Sequence, residues 1–379
     1  MQNRLPPAPA TIEAAPDTAP QLPCLPIKGR GTAQRIAHRF STSQRESHDD
    51  GWGTLDALAD DDRAAPRTHV IEEHAKSILA KNDSPDIPFA LSINPYRGCE
   101  HGCIYCYARP THSYLNLSPG LDFETQIVAK VNAAERLEEE LARPGHVVSP
   151  INIGSATDGY QPVERQLGIT RRVLEVLTRT QHPFTIITKS SGVERDLDLI
   201  APAAQRRQAL VFVSITTLSN ELARILEPRC TAPARRLQTV RRLAEAGVPV
   251  GVNVAPIIPF INEPEIEQII EAAAAAGARS IHWTVVRLPW EVNPLFQDWL
   301  QQHFPQRAAR VMARLRDMRG GQDYRAEFGA RMKGEGVWAE LIRQRVLKAT
   351  ERAGLTRQTP DLDVSQFRPP NPSGQGVLF

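Results

Sequence analysis

Three of the five cysteines in this 379-residue chain fall within eight residues, as Cys99-Glu-His-Gly-Cys103-Ile-Tyr-Cys106. Thiols at C-x3-C-x2-C spacing point to one shared ligand, because thiolates so crowded would otherwise repel or oxidise. Three ligands leave a tetrahedral centre one short. Zinc would need a fourth donor, for which His101 and His112 are nearest. The second C-x2-C half usual in zinc modules is missing: Cys24 lies in a Pro/Ala-rich stretch and Cys230 far downstream. An iron–sulfur cluster ligated by protein alone would also need a fourth side chain. A three-cysteine [4Fe–4S] cluster instead keeps one iron open to an exogenous molecule.

The elements that must position this loop begin with a strand over 89–93. Ile127, Val131, Ala134, Leu137 and Leu141 recur at helical spacing, and residues 70–81 suggest a short helix or strand–helix cap. Strands are expected at 147–153, 184–188, 210–215, 248–255 and 280–286. Helices are expected around 167–177, up to 207, over 234–246 and over 264–276, the last two closed by Gly247 and Gly277. Six Val/Ile-rich strands alternating with helices predict an α/β fold built on a parallel sheet. Several strands end in polar residues: Thr157-Asp158, Thr188-Lys189, Ser214 and Thr216, Asn253, Arg287. Both a β/α barrel and an open doubly wound sheet place their sites at such ends. After Pro289 the alternation gives way to helices at 296–304, 306–318 and 338–353. The expected organisation is a largely disordered extension over 1–67, a barrel over 68–288, a C-terminal helical cap over 289–358 and a flexible tail over 359–379.

A hydrophobic fraction of 41% suits a globular protein, and a net charge of +2 gives no bulk case for nucleic acid. No run approaches the roughly 18 apolar residues of a membrane span. The N-terminus lacks the apolar core of a signal peptide, so the cytoplasm is the expected compartment, with reduced cysteines. The basic stretch Lys28-Gly-Arg30-Gly, with Arg35, His38 and Arg39, reads as solvated tail, as a partner for the acidic run from Asp49 to Asp62, or as a phosphate contact.

The cysteine spacing, the aromatic before the last cysteine and the six-fold β/α order together resemble the radical S-adenosylmethionine (radical SAM) superfamily over about residues 89–287. The resemblance implies a partial (β/α)6 TIM-like barrel with a [4Fe–4S] cluster on Cys99, Cys103 and Cys106. The open iron would chelate S-adenosylmethionine, and one electron from a reductant such as flavodoxin or ferredoxin would cleave it to methionine and a 5′-deoxyadenosyl radical. Tyr105 then corresponds to an aromatic near the adenine, and Gly154-Ser-Ala-Thr157-Asp158 takes the place of the glycine-rich motif near the amino group. Lys189 is the expected partner of the SAM carboxylate, and Ser214 of its ribose or carboxylate. Each is otherwise an ordinary polar strand end.

Within the superfamily, Tyr105-Cys106-Tyr107, Thr157-Asp158, Thr188-Lys189-Ser190 and Ser214 are similar to the branch of spore photoproduct lyase, a DNA-repair enzyme. That likeness implies catalytic roles for Tyr105 and Tyr107 in returning hydrogen to a product radical. Gly154-Ser155-Ala156 has no cysteine where the lyase carries its hydrogen donor, so the second half of the lyase reaction is not expected to be repeated in the same way. The longer string from Asn94 to His112, with Tyr160-Gln-Pro, Glu227-Pro-Arg229 and Arg287-Leu-Pro289, is similar to a bacterial group of unassigned substrate. Arg97, Arg109, Arg165, Arg229 and Arg287, near strand ends, suggest an anion site and a nucleic-acid or nucleotide-like substrate. A protein or small-metabolite substrate, and a non-catalytic iron–sulfur module, are the alternatives. The final Gln375-Gly-Val-Leu-Phe379 is similar to the pentapeptide that docks bacterial repair proteins on the DNA sliding clamp.

Overall fold

A computed structural model describes residues 27–41 and 66–370. Six parallel strands form the centre: β1 (Leu91–Ile93), β2 (Ile151–Ile153), β3 (Phe184–Thr188), β4 (Ala209–Ser214), β5 (Val250–Ile257) and β6 (Ser280–Val285). They pair in chain order, and an antiparallel strand, Leu79–Lys81, borders β1. β6 does not pair with β1, so the sheet curves as an open, partial (β/α)6 barrel. Ile93, Ile151, Phe184, Val211, Val252 and Ile281 are buried along it. Such two-sided burial explains why these strands read as continuous apolar runs.

Helices return the chain between strands. Pro233 opens the helix Pro233–Glu245 and Gly247, at φ +78°, follows its end. Beyond β6, the helices Val292–His303, Pro305–Asp317 and Gly336–Arg352 form the C-terminal extension, the last packed on the helix Ile266–Ala275.

The structure departs from the sequence expectations in four places. Residues 70–81 hold two strands, His69–Glu73 and Leu79–Lys81, rather than a helix. Ile127 lies in a strand, Gln126–Lys130, parallel to His69–Glu73, and the helix begins only at Ala133. Residues 27–41, expected to be disordered, pack on the cysteine loop: Arg30 Nη1 donates to Glu124 O at 2.8 Å and Leu121 N to Gln34 O at 2.8 Å. The basic stretch is paired with acidic groups of the folded core, through Arg35–Asp122 beside the cysteine loop and Arg39–Glu291 at the start of the C-terminal extension, each 2.8 Å. Residues 361–370, expected to be flexible, also dock. Asp363 N donates to Arg207 O and Arg368 N to Thr180 O, both at 2.8 Å, and Phe367 packs edge-on to His182. Cys24, the acidic run 49–62 and the pentapeptide Gln375–Phe379 lie outside the described residues.

Candidate metal centre

The cysteine loop leaves β1 and is held from all sides. Gly98, at φ +80°, brings the chain so close to its surroundings that a Cβ would stand 2.8 Å from His112 Cε1 and 2.9 Å from Phe123 O. Arg109 is fully buried beneath the loop; its guanidinium donates to Cys103 O (3.0 Å), Gly102 O (3.2 Å) and Gly120 O (2.9 Å), and pairs with Glu124 at 2.5 Å. Gln161 takes Glu100 N on its Oε1 (2.9 Å) and gives its Nε2 to Gly98 O (3.3 Å). Glu100 accepts from Val163 N at 2.6 Å and pairs with Arg229 at 3.1 Å. The Tyr160-Gln-Pro and Glu227-Pro-Arg229 motifs thus act as clamps on the loop.

Cys99 and Cys103 are buried and Cys106 is half-buried, all three free thiols. Burial, and then the neighbouring Cys103 and Cys99, push the Cys106 pKa up to about 12. A polycation bound among them would relieve that cost. Among the described residues no three His, Cys, Asp or Glu side chains converge on a single-ion position. The histidines that zinc would require are committed elsewhere: His101 Nδ1 to Asp158 at 3.3 Å and His112 Nε2 to Gln126 O at 2.9 Å. Three soft thiols, with both nearby histidines hydrogen-bonded to other groups, fit an open-site iron–sulfur cluster better than a four-ligand zinc site.

The strand ends gather beside the thiols. Gly154, at φ +91°, passes so near β3 that a Cβ would lie 2.5 Å from Ile187 O. Asn94 Oδ1 accepts from Ala156 N (2.8 Å) and Thr157 N (3.3 Å), fixing the turn after β2. Thr157 Oγ1 is buried there without a hydrogen-bond partner, a polar atom left for something that the protein does not supply. Asp158 ties two strand ends together, accepting from Thr188 Oγ1 (2.8 Å) and Lys189 N (2.7 Å). Burial opposes protonation of His101, yet Asp158 and Cys99 raise its pKa well above the usual histidine value.

Lys189 Nζ lies 5.9 Å from the centroid of the Tyr105 ring. Burial pulls its pKa down, and Cys103, Glu227 and Cys230 more than offset this, so the net shift is upward and the ammonium stays charged. Ser214 is buried at the end of β4, its carbonyl taking Arg236 Nη1 at 3.0 Å. The two tyrosines part company. Tyr105 is buried, its hydroxyl donating to Glu227, which also accepts from Thr216 Oγ1 at 2.5 Å and pairs with Arg236. Tyr107 is 47% exposed; its hydroxyl donates to Ser155 O, and the Arg287 guanidinium lies 4.4 Å from its ring centroid.

Sequence reasoning read five arginines as one anion site, and the structure divides them. Arg109 serves the loop, Arg97 pairs with Glu73 at 3.1 Å, Arg229 pairs with Glu100, and Arg165 is an exposed helical residue. Arg287 alone of the five lies against an exposed aromatic at the strand ends. Asn94, Gln161 and Cys230 were missed. The motif string from Asn94 to Cys106 was the available signal for Asn94, while nothing in the spacing marks Cys230.

The radical SAM superfamily matches residues 93–273, from the end of β1 through most of the helix before β6. The uncharacterized protein Rv2578c of Mycobacterium tuberculosis is 36% identical over 252 residues, 65% of this chain and 74% of that protein. The uncharacterized protein MJ0683 of Methanocaldococcus jannaschii is 26% identical over 63% of this chain and 85% of its own length. A spore photoproduct lyase variant with bound AdoMet and dinucleoside spore photoproduct superimposes with a TM-score of 0.53 at 16% identity, covering 76% of this chain and 81% of that one. The fold is shared at that identity. Three clamped thiols at C-x3-C-x2-C spacing, in the loop that follows the first strand of an open β/α barrel matched by the superfamily, place the chain in the radical SAM superfamily, whose cofactors are a [4Fe–4S] cluster and S-adenosylmethionine, and make it a radical SAM enzyme.

Proposed function

We propose that Cys99, Cys103 and Cys106 ligate the cluster and that the chain acts on a nucleic-acid base or nucleotide-like substrate in repair or modification. The gathering of three thiols free of disulfides beside an orphaned buried hydroxyl, Thr157, carries the reading. With both cofactors bound, the open iron would hold S-adenosylmethionine and reductive cleavage would supply a 5′-deoxyadenosyl radical for hydrogen abstraction.

The chain's own residues bind and orient. Lys189 would hold the SAM carboxylate, Thr157 a polar group near its amino end, and Ser214 its ribose or carboxylate. Tyr105, braced by Glu227, would pack near the adenine, while Tyr107 at the mouth would face the substrate and its radical. The substrate class is supported by the exposed rim. Besides Tyr107 and Arg287, the Arg39 guanidinium lies 4.3 Å from the Trp290 ring centroid and 4.8 Å from that of Phe40. Exposed aromatics interleaved with arginines suit unstacked bases and phosphates.

The same reading takes flavodoxin or ferredoxin as electron donor, Gln375–Phe379 as a sliding-clamp contact and the cytoplasm as location. No described helix is long and apolar enough to cross a membrane. We also take 68–288 as the catalytic unit and 289–358 as its helical cap.

The test is anaerobic reconstitution with iron and sulfide, then dithionite and S-adenosylmethionine with single-stranded oligonucleotide, protein extract or metabolite pools. Release of 5′-deoxyadenosine stimulated by oligonucleotide is expected. Stimulation only by protein or metabolites would refute the substrate class, and no cluster uptake would refute the ligand assignment.

A further inference from the structure

Cys230 is the one described thiol outside the C-x3-C-x2-C loop, and it lies against that loop. Its Sγ is 3.7 Å from Cys103 Sγ. The contact is built by the backbone on both sides. Ile104 N donates to Leu226 O and Arg229 N to His101 O, each at 3.2 Å, while Cys230 N returns to Glu227 O at 3.0 Å. The Glu227 carboxylate, held by Tyr105, Thr216 and Arg236, fixes the same segment from within. With both backbones stitched together, the two short side chains have little freedom to part.

A fourth cluster ligand would not stand there. Thiolates on different irons of a cubane each cap an outward corner, so their sulfurs are held well beyond van der Waals contact. A thiol touching Cys103 sits beside one ligand rather than across the cluster from it. Once Cys103 is a thiolate on iron it has only lone pairs to offer, whereas a neutral Cys230 has a proton to give. Hydrogen bonds to ligating sulfurs are among the protein's means of setting cluster potentials. An added electron places more negative charge on those sulfurs, so a donor stabilises the reduced cluster more than the oxidised one.

We propose that Cys230 donates an S–H hydrogen bond to the ligating sulfur of Cys103 and raises the reduction potential of the cluster, making it a positioning residue for the electron-transfer step. This rests on the assignment of Cys103 as a ligand.

The test compares wild-type, C230A and C230S proteins after anaerobic reconstitution, by iron and sulfide analysis and an EPR-monitored redox titration. C230A is expected to hold a full cluster whose one-electron reduction equilibrium is about threefold less favourable, ~30 mV more negative. C230S keeps a donor and is expected to lie nearer the wild type. C230V, which removes the donor while filling the space, serves if C230A does not fold. A donor-less variant with the wild-type potential overturns the proposal, as does one that loses its iron in the way a lost ligand would. Wild-type protein that takes up no cluster would overturn the ligand assignment and this inference together.

Discussion

The guanidinium of Arg109 and the carboxylate of Glu124 meet at 2.5 Å with neither side chain reaching solvent. Arg109 also donates to four carbonyls of the segment from Gly102 to Gly120, and Glu124 accepts from Gly31 N at 2.9 Å. The pair therefore joins the cysteine loop to the N-terminal segment. Breaking a buried pair by removing one partner leaves a charge and several carbonyls unmet. Arg109→Ala is expected to cost roughly 3–5 kcal/mol of stability and to lower cluster occupancy. Arg109→Lys should rescue little, because an ammonium cannot reproduce the planar fork. Denaturant midpoints and iron content check both; an Arg109→Lys protein as stable as the wild type would contradict the argument.

Cluster ligation is the most direct expectation. Cys103→Ala should abolish the brown colour and the absorption near ~400 nm of the reconstituted protein, since a ligating thiolate is gone. A stoichiometric cluster in that variant would show that the ligands are misassigned.

Lys189 carries the expectation for S-adenosylmethionine. Its backbone is held by Asp158 and its ammonium lies near the Tyr105 ring, so alanine leaves the strand end intact. Lys189→Ala should keep the cluster and weaken SAM binding by about 1.5–3 kcal/mol, the scale of a hydrogen bond to a charged group. Calorimetry on the reconstituted protein measures it, and unchanged affinity would remove Lys189 from the site.

How much was legible beforehand varies with the kind of fact. β3, Phe184–Thr188, could be read end to end because it is a short, largely apolar run between turns, its residues alternating buried and half-buried. Ile127 misled because its spacing to Val131 and Ala134 is helical, while its true partner, Val70, lies in a strand far upstream. Pairing is a tertiary fact that a local period cannot carry. The cysteines announced themselves by spacing. Arg109 showed its charge but not its direction, which is inward. Gln161 and Asn94 are ordinary amides in sequence; their importance comes from which backbone groups they reach. Cys230 was set aside for its distance along the chain, which the fold closes to 3.7 Å.

The rim makes a prediction about substrate form. Trp290 and Tyr107 are exposed beside arginines, with ring faces that a stacked duplex would not offer bases to meet. Trp290→Ala should weaken single-stranded oligonucleotide binding by about 1–3 kcal/mol, the worth of one base–aromatic stack, and affect duplex binding less. Arg287→Ala should weaken both and reduce the salt dependence. Fluorescence anisotropy at two salt concentrations separates these, and equal losses for single strand and duplex from Trp290→Ala would count against stacking.

The docked C-terminal segment makes the fold sensitive to acid. His182 is buried, its Nδ1 on Pro183 O at 3.0 Å and its Nε2 3.0 Å from His146 Nε2, with Phe367 packed against both rings. Burial, and secondarily the neighbouring His146, lower its pKa to about 4 from the ordinary 6.5. Between those values the unfolded chain binds a proton that the folded one refuses. The stability is therefore fully present above pH 6.5 and is lost as pH falls towards 4, by about 3 kcal/mol at most. His182→Gln cannot take up the proton and should flatten this part of the profile between pH 7 and 4.5. His112, likewise lowered to about 4 by burial, and His146, His282 and His303, lowered by burial as well, keep the rest. Urea unfolding at a series of pH values measures the difference, and a His182→Gln profile parallel to the wild type would show that this imidazole is not the acid-sensitive group holding the tail.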